Sequence, residues 1–74
     1  MAYKRFRKGD LARISNFNVK GICADKDKTI MVGEVVIITD EGYYGCYEIE
    51  SQKDKIKALT SHINLEKIEK INNK

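Results

Sequence analysis

Four consecutive β-branched apolar residues, Val35-Val36-Ile37-Ile38, constrain this chain more than any other feature. The run is too short for a helix, and its branched side chains favour a pleated strand. Apolar side chains on both faces predict a central strand over residues 33–40, covered on both sides. Asp40-Glu41-Gly42 follows and reads as a tight hairpin turn. Residues 43–51 then alternate: Tyr43, Gly45, Tyr47 and Ile49 share one face, and Tyr44, Cys46, Glu48 and Glu50 share the other. Tyr47 and Ile49 are therefore expected in the core. After a polar turn at 51–54, residues 55–60 alternate again with Ile56 and Ala58 inward, which continues an antiparallel meander.

Upstream, Lys8-Gly9-Asp10 punctuates the chain before Leu11-Ala12-Arg13-Ile14, expected as a strand with Ile14 buried. Residues 15–32 hold Asn16, Asn18, Gly21, Asp25 and Asp27. They are too polar and irregular for a helix and read as a long loop wrapped on one end of the sheet, pinned by Phe17, Val19, Ile22 and Ile30. At the other end, Ile63, Leu65, Ile68 and Ile71 fit either a helical stripe or a turn at 61–65 followed by a strand. A short isolated helix is marginal in water, and a closing strand removes a sheet edge, so turn plus strand is expected, with Ser61 as the cap.

A chain of 74 residues supports one core, since a domain this small buries only roughly 60% of its unfolded surface. The expected organisation is a basic N-terminal arm at 1–8, one β-domain at 9–71 and a disordered end at 72–74. The order of elements resembles the small SH3-like barrels of ribosome-associated modules, photosystem accessory subunits and uncharacterised phage or prophage proteins. The residues that carry the likeness are Lys8-Gly9-Asp10 with the strand after it, the long loop, Gly33-Glu34-Val35-Val36, the hairpin, Tyr47-Glu48-Ile49, Ile56-Lys57-Ala58-Leu59, and Leu65-Glu66-Lys67-Ile68. The resemblance implies an all-β, five-stranded SH3-like barrel, with a long loop after the first strand and a short helical turn before the last. It also implies a binder and not an enzyme. Signalling SH3 domains that take proline-rich peptides carry paired tryptophans, and this chain has no Trp, so proline-peptide recognition is not expected.

The net charge of +3 is unevenly spread: residues 1–32 carry +5, residues 33–52 carry −5 and residues 53–74 carry +3. The basic-aromatic stretch Tyr3-Lys4-Arg5-Phe6-Arg7-Lys8 has the composition that neutralises phosphates and stacks on bases. Together with Arg13 it is the expected contact for nucleic acid or a ribonucleoprotein, and Lys20, Lys26 and Lys28 extend it if the long loop folds alongside. The competing reading has Phe6 stapling the arm to the core with its basic neighbours solvated. A second candidate, for a protein partner, is the hairpin Tyr43-Tyr44 with the acidic residues Glu48 and Glu50. A third is self-association through a strand edge, giving a monomer or weak dimer.

Catalytic chemistry is poorly provided for. One histidine, His62, and two separated cysteines, Cys23 and Cys46, form no recognisable metal-ligand or nucleophile spacing. No enzyme activity, cofactor or metal is expected. The longest apolar runs are far below the ~20 residues that span a bilayer, so a cytoplasmic protein without a membrane contact is expected. Its thiols are expected to be reduced, with a Cys23–Cys46 disulfide as the alternative.

Overall fold

A computed structural model describes residues 6–42 and 44–68. These residues form no α-helix; seven strands are joined by turns and two short 3-10 segments. Strands β1 (Leu11–Ile14), β4 (Val35–Glu41), β5 (Cys46–Ser51), β6 (Lys57–Ser61) and β7 (Leu65–Lys67) make one antiparallel sheet in the order β6-β5-β4-β1-β7. Strands β2 (Val19–Lys20) and β3 (Thr29–Ile30) make a separate two-stranded sheet.

The alternation read in the meander holds from Cys46 to Ser51 and from Ile56 to Thr60, whereas Tyr44, Gly45 and Lys55 belong to turns and Tyr43 lies outside the described residues. Val36 and Ile38 of β4, Tyr47 and Ile49 of β5, and Ile56 and Ala58 before and on β6 are all buried, and β1 adds Ala12 and Ile14. Each fully buried branched side chain contributes about 1.5–3 kcal/mol of transfer free energy, which fixes the inward face against a one-residue slip. Ser51 is buried at the end of β5 and stays satisfied because its hydroxyl accepts the Asp54 and Ile56 N–H groups, both at 3.2 Å. The last element is turn plus strand, as expected. Ser61 caps a 3-10 turn at His62–Asn64 by accepting the Ile63 N–H, and β7 then pairs with β1.

Three expectations need correction. The hairpin turn does not lie at Asp40-Glu41-Gly42, because β4 continues through Glu41 and Gly42 N–H closes the loop on the Cys46 carbonyl at 2.9 Å. The left-handed positions fall later, at Tyr44 (φ +57°) and Gly45 (φ +78°). Gly45 is also where a Cβ would stand 2.8 Å from His62 Nδ1, so the left-handed turn position at 45 takes a glycine. Second, β4 is central, but the described residues cover its outward face only in part, leaving Val35 and Ile37 half-buried. Third, residues 15–32 are not without structure. They contain β2, β3 and a 3-10 turn at Cys23–Asp25, and the hairpin is fastened to the edge of β6 by a bridge between Gly21 and Ala58. Any Cβ at Gly21 would meet the Asp25 carbonyl at 2.3 Å, so this close approach requires glycine. Of the expected pins, Val19 and Ile30 are buried and Ile22 is half-buried, but Phe17 is 49% exposed.

Candidate binding surfaces

At the N-terminal arm, Tyr3, Lys4 and Arg5 lie outside the described residues, whereas Phe6, Arg7 and Lys8 are placed. Phe6 is fully buried, edge-on to Tyr47 with ring centroids 5.3 Å apart, and Lys67 Nζ stands 5.8 Å above its ring. Its backbone N–H donates to the Tyr47 hydroxyl at 3.1 Å. A ring with no exposed surface has none to offer a base, so Phe6 has the stapling role and not the stacking one. A short loop holds the arm to β4: the Asp10 carboxylate accepts the Arg7 N–H at 3.0 Å, and Gly9 N–H reaches the Ile38 carbonyl at 2.8 Å. Arg7, Lys8 and Arg13 are exposed, and none of them forms an ion pair among the described residues.

The long loop does not join these cations. It crosses to β6, three strands from β1, where Ile22 N–H donates to the Lys57 carbonyl and the Asp25 carboxylate accepts the Lys57 N–H at 3.0 Å. That backbone hydrogen bond holds the Asp25 carboxyl below its ordinary range despite some desolvation, and the Lys28 ammonium, 3.5 Å away, adds to the effect. Exposed Lys20, Lys26 and Lys28 therefore sit with the loop at the β6 edge, apart from the arm.

The hairpin candidate is partly placed. Tyr43 is outside the described residues; Tyr44 is 98% exposed in the left-handed region. Glu48 and Glu50 are half-buried on the outward side of β5, the face read from the alternation. A β-bulge between Ile38 and Asp40 makes Thr39 the extra residue, with its hydroxyl donating to the Glu48 carbonyl at 3.1 Å. Asp40 is thereby set directly opposite Glu48.

One surface escaped the sequence reading. Phe17, Met31, Val32 and Ile63, each roughly half exposed, belong to three segments joined by asparagine side chains. Buried Asn64 accepts the Asn16 and Phe17 N–H groups, both at 2.8 Å, and donates to the Phe17 carbonyl at 2.9 Å and the Thr60 hydroxyl at 3.2 Å. Asn16 donates in turn to the Ile63 carbonyl, and Asn18 accepts the Val32 N–H at 2.9 Å. Residues 15–19, 30–33 and 60–65 contain no Asp, Glu, Lys or Arg, although 34% of the chain is charged. That gap in charge was the available signal, but it is scattered over three distant stretches and becomes a surface only after folding.

Cys23 and Cys46 are free and exposed, and no group of three His, Cys, Asp or Glu side chains among the described residues could hold a metal ion. No helix among them is long and apolar enough to cross a membrane. Comparison of the chain with protein-family models, with curated proteins and with solved structures finds no match.

Proposed function

We propose that this protein is a non-enzymatic binding module of SH3-like topology that holds a protein partner on its apolar loop surface. The topology is supported by the order of strands, by the long hairpin-bearing loop after β1 and by the 3-10 turn before β7. The observation that carries the function is the set Phe17, Met31, Val32 and Ile63, four large apolar side chains left half exposed on segments whose one adjoining carboxylate, Glu34, is turned to the Met31 N–H at 3.1 Å. Scattered exposed apolar residues are ordinary, but a cluster of them is a common mark of a contact site. The Asn16, Asn18 and Asn64 hydrogen bonds hold the segments in one geometry before any partner arrives, which lowers the ordering cost of binding. Free thiols at Cys23 and Cys46 suit a reducing compartment such as the cytoplasm.

The test is affinity capture with the wild-type protein and with a Phe17→Ser/Ile63→Ser double variant, whose exposed positions leave the core intact. Loss of the captured proteins with an unchanged melting temperature supports the reading. An unaltered set of captured proteins overturns it.

Nucleic acid is the second reading, favoured by exposed Arg7, Lys8 and Arg13, which form no ion pair among the described residues. Tyr3, Lys4 and Arg5, the other residues the sequence assigns to this contact, lie outside the described residues, and with Phe6 buried Tyr3 is the aromatic left to stack on a base. It requires binding to single- or double-stranded oligonucleotides that weakens steeply with salt and with Arg7→Ala/Lys8→Ala. Fluorescence anisotropy showing no binding at low salt eliminates it.

A further inference from the structure

Strand β4 carries apolar side chains on both faces, and the described residues bury one of them fully and the other only in part. Val36 and Ile38 enter the core, while Val35 and Ile37 point outward. The elements packed against β4 are its sheet neighbours β5 and β1. Beside Ile37 in register stands Leu11, also half-buried, and in the neighbouring row, opposite Glu48, is Leu59 of β6, 52% exposed. An outward sheet face normally reads polar, so this strip is a surface built to be covered.

The charges around the strip indicate what covers it. The Thr39 bulge turns Asp40 to face Glu48 directly, and Glu50 follows two residues along β5 on the same side. Like charges opposite one another across a ladder are destabilising, so the sheet alone gives no reason for this pair. None of these three carboxylates forms an ion pair among the described residues. Lys57 lies opposite Glu50 at one margin, and Arg13 lies beyond Val35 opposite Glu66. Between those margins β4 and β5 carry acidic side chains and no basic ones. Glu48 and Glu50 are spaced by two strand residues, about 7 Å, which is the distance between alternate side chains of an extended peptide.

We propose that the outward face of β1, β4, β5 and β6 is a docking surface for a cationic, apolar-containing segment of a partner protein. Its basic side chains meet Asp40, Glu48 and Glu50, and its apolar groups cover Leu11, Ile37 and Leu59. This face is separate from the loop surface of Phe17 and Ile63, so either stands if the other fails.

The experiment measures anisotropy of a fluorescent Lys/Leu peptide with the full chain at physiological ionic strength, with an equal-length Glu/Leu peptide as control. The expected result is binding of the Lys/Leu peptide only, weakened at least tenfold by Glu48→Lys and a few-fold by Leu59→Ser, and unchanged by Phe17→Ser. Glu48→Lys is also expected to raise the melting temperature, because it removes the Asp40–Glu48 repulsion. A variant that folds better and binds worse cannot owe its lost binding to unfolding. Equal binding of both peptides, or undiminished binding by Glu48→Lys, overturns the proposal. So does an apolar face shown by nuclear Overhauser contacts to be covered by the chain's own terminal residues.

Discussion

The β4–β5–β6 meander and the long segment between β1 and β4 are stabilised in different ways. The meander is held by distributed burial: alternate residues of three adjacent strands enter one core, and each adds its share. Beyond the burial of Val19 and Ile30, the segment at 15–34 is held at points. Asn64 fastens its first residues, Asn18 ties Val32, and Asp25 with the Gly21 bridge fastens its far end to β6. Distributed contacts leave a periodic signature along the chain, whereas point contacts join single residues, most of them here more than thirty positions apart, and leave none. The difference also separates their failure modes, since loss of a core residue weakens everything and loss of a latch frees one loop.

The largest effect is expected from Ile49→Ala, which opens a cavity at the centre of the meander and should cost about 2–5 kcal/mol. Denaturant unfolding should show one cooperative transition at lower midpoint; a loss below that range would mean the inward face repacks without Ile49.

Asn64→Ala comes next. It removes both the acceptor for the Asn16 and Phe17 N–H groups and the donor to Phe17, at a cost of about 1–3 kcal/mol for the groups left unsatisfied. Amide exchange at Asn16 and Phe17 should accelerate far more than exchange in β5. Uniform acceleration would erase the distinction between latch and core.

The smallest effect is the pH response of Asp25. Its folded pKa lies below the ordinary value of 3.8, so the latch on Lys57 is complete above that value and is lost as pH falls through the lower, folded one. The protection of the Lys57 amide, its exchange measured against the intrinsic rate at each pH, should fall in acid while the β5 amides stay protected, and Asp25→Asn should abolish that dependence. An unchanged Lys57 amide would show that the Gly21 bridge alone fastens the loop.

The sequence made the meander legible because strand alternation is local: Tyr47, Ile49, Ile56 and Ala58 all turn inward as their spacing requires. The turn shifted from 40–42 to 42–45 because Asp-Glu-Gly looks like a turn in isolation, while the Thr39 bulge and the close approach of His62 to Gly45 are tertiary facts. Phe6 was readable two ways, as stacking ring or as staple, and its packing on Tyr47 decided between them. Phe17 was expected inside for its apolarity and stands half exposed, because Asn64 grips its backbone and leaves the ring outside.

By itself the sequence determined the all-β class and the inward face of the central strands, since periods of two residues act over a few neighbouring positions; at the ending Ile63, Leu65 and Ile68 fitted a helix or a turn plus strand, and the pairing of β7 with β1 decided it. The tertiary structure alone decided where the long loop lands, which apolar side chains remain outside, and that Asp40 faces Glu48. Those outcomes depend on pairings between distant residues, set by register and by single hydrogen bonds, and no local pattern encodes them.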